Sequence, residues 1–156
     1  MQNEGNEKME NGAADHRMHL VFDSNSENES FARVTVAAFC TRLDPTLEEM
    51  ADIRTAVSEA VTNCIVHGYN GKEGTITIGC EIRGNDICVT VEDSGVGIEN
   101  IAKAMEPLYT SKPELERSGM GFSFMEAFMD RLEVESQPGK GTRVIMHKKI
   151  VRGIHV

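Results

Sequence analysis

Apolar residues recur at every second position in two neighbouring stretches, Ile76, Ile78, Cys80 and Ile82, then Ile87, Val89 and Val91, with Gly84-Asn85 between them. That period buries one side of each strand, and the pair reads as an antiparallel hairpin closed by a tight turn. Upstream the period becomes helical. Met50, Ile53, Val57, Val61 and Cys64 fall within about 40° of one line when each residue advances by about 100°. Two capping boxes start helices, Ser26-x-x-Glu29 and Thr46-x-x-Glu49. In each, a hydroxyl takes a backbone N–H while the glutamate three residues on reaches back. The first helix should run to about Leu43, where Asp44-Pro45 ends it, because the residue before proline is pushed out of the helical region. The second should run to about Gly68.

His19-Leu-Val-Phe22 opens a first strand. After a long irregular stretch, Phe124, Met125, Phe128 and Met129 mark a third helix over Gly121 to Asp130. Leu132 to Ser136 and Thr142 to Lys148 read as two further strands, joined by Pro138-Gly-Lys-Gly141. The order of strand, two helices, hairpin, irregular segment, helix and hairpin predicts an α+β fold. It is a two-layer α/β sandwich, with a mixed, mostly antiparallel sheet and helices on one face.

With 156 residues the chain is long enough for one core and too short for two ordinary domains. Residues 1–17 are polar and without periodicity, which reads as a flexible extension before a domain over 18–149 and a tail over 150–156. The formal charge is −9, of which the extension carries only −2. Acidity of that order argues against direct contact with nucleic acid, which depends on clustered Lys and Arg. Cys40, Cys64, Cys80 and Cys88 sit in apolar-periodic segments without C-x-x-C spacing, and read as reduced core residues. No apolar run approaches the roughly 20 residues needed to cross a bilayer, and no signal-peptide stretch opens the chain. A soluble, cytoplasmic protein without a membrane partner is the expectation.

Glu59, Asn63 and His67 are spaced by four, so they form one stripe on the second helix. Glu59 and Asn63 lie near 200° and 240° from the apolar line, at about 100° per residue, and so face away from the core. Taken alone, such a trio is a solvated helix flank. Asp93 ends a strand and precedes Gly95 and Gly97, which allow a sharp turn and a close approach to a ligand. A carboxylate there can accept a hydrogen bond from an exocyclic amine. Ser118-Gly119-Met120-Gly121 opens the third helix, whose first N–H groups are unpaired donors suited to phosphate. No Walker A loop occurs.

The ordered set Glu59-x-x-x-Asn63, Asp93-x-Gly95-x-Gly97 and Gly119-x-Gly121 resembles the N, G1 and G2 boxes of the ATPase superfamily that includes gyrase, Hsp90, histidine kinases and MutL. The wording from Pro107 to Gly121, with Ser-Glu-Asn-Glu-Ser-Phe-Ala-Arg-Val near the start, narrows this further. It resembles the family of anti-sigma F factors of spore-forming bacteria, which are serine-protein kinases, over about Met18 to Lys149. The resemblance implies a Bergerat-type ATP-binding fold. Asn63 would coordinate a Mg²⁺ bridging the ATP phosphates, Asp93 would read the adenine amine, and Thr142 would support the adenine through its hydroxyl. Gly119, Met120 and Gly121 would offer backbone donors to phosphate, with Ser118 at their head. Thr110, Ser111 and Lys112 would belong to a lid, and Glu59 would be the base that orients a substrate hydroxyl. Phosphoryl transfer, being mostly positioning and charge neutralisation, suits such a set. Arg117 and Lys112 are candidates for added positive charge or for a lid salt bridge. His67 is read as structural.

The same resemblance implies two protein partners, a sporulation sigma factor that is sequestered and an anti-anti-sigma protein that is phosphorylated on serine. Glu29 and Arg33 on the first helix are the expected contact residues, arginine being enriched at interface hot spots. The plainer alternative is that Arg33 only pairs with Glu29 four residues back. A homodimer is also implied, and Val21, Phe22 and Phe31 are compatible with it. Two other readings stay open: a nucleotide-dependent binding module without kinase activity, and a stress-response serine kinase of the same superfamily. A phospho-accepting histidine kinase is disfavoured, because no histidine within a two-helix segment precedes the domain.

Overall fold

The alternating residues build the sheet they imply. A computed structural model describes residues 13–106 and 121–151. Five strands, β1 (His16–Asp23), β2 (Thr75–Arg83), β3 (Asp86–Asp93), β4 (Arg131–Gln137) and β5 (Gly141–Lys149), lie in the order β1-β2-β3-β5-β4. Every pairing among them is antiparallel, so the sheet is not mixed as expected. The β2–β3 and β4–β5 pairs are hairpins, while β3 and β4, both antiparallel to the β5 strand between them, run in the same direction.

Three helices cover one face: α1 (Glu27–Cys40), α2 (Leu47–Asn63) and, later in the chain, α4 (Gly121–Phe128). Ile53, Val57 and Val61 from α2, with Cys64 just after it, are buried against Ile76, Ile78, Cys80, Ile82, Ile87, Val89 and Val91 from the sheet. The opposite face carries Arg17, Glu81, Glu92 and Arg143 in cross-strand ion pairs, Arg143 lying 3.0 Å from Glu92. Cys88 is on that face and only half-buried, so the expectation of four core cysteines fails for this one. Its place follows from the period, since Ile87 and Val89 on either side point inward. The thiols of Cys40 and Cys80 are pushed up by burial, Cys40 to about 12.

The helix starts differ in one respect. Thr46 forms the expected reciprocal cap with Glu49. Ser26 does not cap α1: its backbone is already helical, and the Asn25 side chain takes the Glu27 N–H at 2.9 Å instead. Glu29 is thereby released to meet Arg33. Helix α1 tightens into a 3₁₀ turn, Thr41–Leu43, and stops at Asp44 with φ +51°. A further short helix, α3 (Ile101–Ala104), stands where an irregular stretch was expected, capped by Asn100 accepting from Lys103.

The ends also extend beyond the expected boundaries. Strand β1 takes in His16 and Arg17, and Asp15 donates its N–H to Ile82. At the other end Ile150 is fully buried, its N–H bonded to Asn85, and Val151 N–H bonds Glu49. Ile150→Ala should therefore cost about 2–5 kcal/mol of stability, read from urea unfolding. An unchanged midpoint would mean that the C-terminal segment is not part of the cooperative fold.

Candidate functional site

Inward-facing positions on β3 run Ile87, Val89, Val91 and then Asp93, so the pleat that fills the core delivers a carboxylate to its end. Asp93 is 8% exposed. Its partners in the register are Ile76 on β2 and Thr142 on β5. Across from it, α2 ends at Asn63 and the next five residues, Cys64–Gly68, form a π-helical turn, a local widening common at functional sites. Between them lies a cavity of about 460 Å³ lined by Asn63, His67, Gly68, Asp93, Gly97, Gly121, Thr142 and others. That size is ordinary for a small-molecule site.

The glycines act on the chain as much as on any ligand. A Cβ on Gly95 would strike the Gly68 carbonyl, and one on Gly97, whose φ is +77°, would strike the Gln137 carbonyl. Both allow backbones to touch, so the turn after β3 is sewn to the π turn by Val96 N–H to Gly68 and to the β4–β5 turn by Gly139 N–H to Val96. Gly121 serves the cavity more directly: its Cβ would stand 3.0 Å from Asn63 Oδ1. Tyr69 clamps the same turn, its hydroxyl accepting from Ser94 N–H at 2.8 Å and donating to the Thr75 carbonyl.

Burial raises the Asp93 pKa, and N–H donors from Gly95 and Thr142 together with the Cys64 thiol oppose that only in part. A carboxylate whose folded pKa is raised costs the fold stability while ionised. That cost is present above the raised value and is relieved as pH falls through it. The melting temperature of the nucleotide-free protein, taken relative to Asp93→Asn, should thus rise on acidification through the carboxylate range. A falling difference would reverse the assignment.

Of the expected site residues, Asn63, Asp93, Gly97, Gly121 and Thr142 meet at this cavity. Gly95 stands behind it and holds Asp93 through its N–H at 2.8 Å. Glu59 lies one turn before Asn63, half-buried, and does not line the cavity. Thr110, Ser111, Lys112, Arg117, Ser118, Gly119 and Met120 lie outside the described residues. His67, read from the sequence as structural, does line the cavity. Ser136 went unnoticed: its hydroxyl lies 2.9 Å from Thr142 Oγ1 and accepts from Ile98 N–H. The signal was present, since it is a polar residue continuing the inward series Leu132 and Val134. Arg33 pairs with Glu29 at 3.2 Å on α1. Phe22 packs against the core, whereas Val21 and Phe31 are 61% and 54% exposed. The period-two pattern of β1 turns Phe22 inward, so it is not part of an apolar surface.

An antiparallel sheet backed by helices and opening at this cavity is the architecture of the histidine kinase-like ATPase domain, and the chain matches that family over residues 22–148. The fold also resembles a crystal structure of the RsbU and RsbW domains of Rv1364c from Mycobacterium tuberculosis. The TM-score is 0.62 at 19% identity, covering 86% of this chain and 32% of that longer one. Sequence relatives are nearer. The chain is 63% identical over 134 residues to the anti-sigma F factor of Clostridium kluyveri, covering 86% of this chain and 94% of that one. It is 62% identical over 135 residues to the anti-sigma F factor of Clostridium acetobutylicum, with the same coverage. It is 61% identical over 137 residues to that of Clostridium perfringens, covering 87% and 98%. The chain belongs to the anti-sigma F factor family, an ATPase type of anti-sigma factor. Among the described residues no helix is long and apolar enough to cross a membrane.

Proposed function

We propose that the cavity binds Mg-ATP, and that the protein holds a sporulation sigma factor and transfers the γ-phosphoryl group to a serine of an anti-anti-sigma protein. The observation that carries the nucleotide part is Asn63. Its Nδ2 is buried at the cavity wall without a hydrogen-bond partner among the described residues. Native proteins seldom leave such a group unpaired unless a ligand completes it. Among the described residues no group of three or more His, Cys, Asp or Glu forms a metal cage. One amide oxygen from Asn63 suits Mg²⁺, which commonly takes its remaining ligands from phosphates and water. Asp93 supplies the acceptor for the adenine amine, with Thr142 beside it, and Gly121 opens α4 next to Asn63. By the family resemblance, Ser118, Gly119 and Met120 would offer donors to phosphate, and Thr110, Ser111 and Lys112 would belong to a lid.

Glu29 and Arg33 form the proposed partner contact on α1, their mutual salt bridge leaving Arg33 40% exposed. A homodimer is proposed through the edge strand β1 and the exposed Val21 and Phe31, since an unpaired strand edge invites pairing. A second reading, in which ATP only switches partner binding, gives Glu59 no chemical role. Purified protein is mixed with γ-labelled Mg-ATP and the anti-anti-sigma protein. Label on a partner serine supports the kinase. Tight ATP binding without transfer selects the nucleotide-dependent binding module.

A further inference from the structure

Three strands bring polar side chains into one row at the end of the sheet. Asp93 on β3 is the register partner of Thr142 on β5, and Thr142 is the partner of Ser136 on β4. Each continues the inward-facing series of its own strand, so the row caps Val91, Val144 and Val134. Asp93 and Thr142 line the cavity, and Ser136 stands beside Thr142 outside that lining. The Ser136 hydroxyl makes three contacts. The Ile98 N–H donates to it at 2.8 Å, the Gly141 carbonyl accepts from it at 2.9 Å, and Thr142 Oγ1 lies 2.9 Å away. A serine hydroxyl has one proton and two lone pairs. With the proton committed to Gly141 and one lone pair to Ile98, the second lone pair is left for the proton of Thr142. All three contacts are hydrogen bonds in this arrangement alone. Thr142 then spends its only proton on Ser136 and faces the cavity with acceptor capacity.

We propose that Ser136 is a positioning residue for base recognition: it draws the Thr142 proton away from the cavity, so that Thr142 joins Asp93 as a second acceptor and the pair selects a 6-aminopurine over a 6-oxopurine. This rests on the reading of the cavity as an ATP site. An exocyclic amine carries two N–H groups and can serve both acceptors, whereas a 6-oxo group sets a third acceptor against them. A site built to accept hydrogen bonds rejects an analogue that cannot donate them. A freely rotating hydroxyl would not discriminate in this way, because it donates or accepts as the ligand requires. The selectivity of Thr142 therefore comes from the neighbour that holds its proton.

The test is calorimetric titration of Mg-ATP and Mg-ITP into wild type, Ser136→Ala, Ser136→Thr, Thr142→Val and the combination of Ser136→Ala with Thr142→Val. Wild type should prefer ATP, and equal affinity for the two nucleotides overturns the proposal. In Ser136→Ala the Thr142 proton is free to turn toward a 6-oxo group. The ATP-to-ITP affinity ratio should then narrow by about threefold to tenfold, the worth of one hydrogen bond of ordinary net strength. Ser136→Thr returns the hydroxyl and the ratio. Thr142→Val removes the group on which Ser136 acts, so it should narrow the ratio too, and adding Ser136→Ala to it should change the ratio no further. An unchanged ratio in folded Ser136→Ala overturns the proposal, even if both nucleotides bind more weakly, because that is the signature of packing alone. A wild-type ratio in Thr142→Val overturns it as well, whether or not Ser136→Ala folds. A wild type that binds neither nucleotide overturns the ATP-site reading itself, and the proposal with it.

Discussion

Asn63→Ala is expected to lower Mg-ATP affinity by at least about 100-fold, ~2.7 kcal/mol, while the nucleotide-free protein melts no lower than wild type. The two effects come from one group. Asn63 ends α2 with its Nδ2 buried and unpartnered. An unsatisfied buried polar group costs the fold about 1–3 kcal/mol, and its removal offsets the packing lost with the shortened side chain. The Oδ1 of the same side chain is the one proposed protein ligand for Mg²⁺, so its loss would weaken the neutralisation of the triphosphate charge. A residue whose removal relieves the empty protein and disables the loaded one belongs to the ligand. Calorimetry with Mg-ATP and thermal melts with and without nucleotide read both quantities. Normal ATP affinity in the folded variant would remove Asn63 from the site. A melting temperature well below wild type would mark the residue as structural.

Features set by local period or local chemistry were legible in the sequence. The β2–β3 hairpin follows from two period-two runs and a glycine turn, and Asp93 could be placed at a strand end because the alternation leads to it. The Thr46 cap held because hydroxyl and glutamate act across three residues. Where two adjacent residues offer the same chemistry, local pattern gives no choice between them. Asn25 and Ser26 are both good caps, and Asn25 takes the role because Ser26 is drawn into the first turn. Helix α3 has four residues and no apolar stripe, too little for any periodicity to register. Ser136 and Ile150 act through register and the docking of the chain end on Asn85 and Glu49. Thr142 is only six residues from Ser136 but meets it through the β4–β5 register, while Asn85 and Glu49 lie tens of residues from the chain end, beyond the reach of a short window. The Ser136 pairing also shows how Thr142 is oriented, which the motif alone does not supply.

Glu59→Gln is expected to separate binding from chemistry: ATP binds as in wild type, and phosphoryl transfer to the partner serine falls on the order of 100-fold or more, the usual contribution of a general base. Glutamine keeps the shape of the side chain and removes its basicity. Glu59 precedes Asn63 by four residues, which is about 6 Å along the helix at about 1.5 Å per residue. A carboxylate at that spacing is outside the nucleotide cavity yet beside the end where the metal and phosphates would sit. Such an offset is what an in-line transfer between proteins needs, because the incoming serine hydroxyl must approach from the side opposite the leaving ADP. It also explains why Glu59 need not touch ATP, and why the two readings of the site diverge at this residue. Single-turnover transfer and calorimetric affinity, measured on the same preparation, decide between them. Unchanged transfer removes Glu59 from the role of base, and a parallel loss of ATP affinity assigns it to the structure of the helix flank.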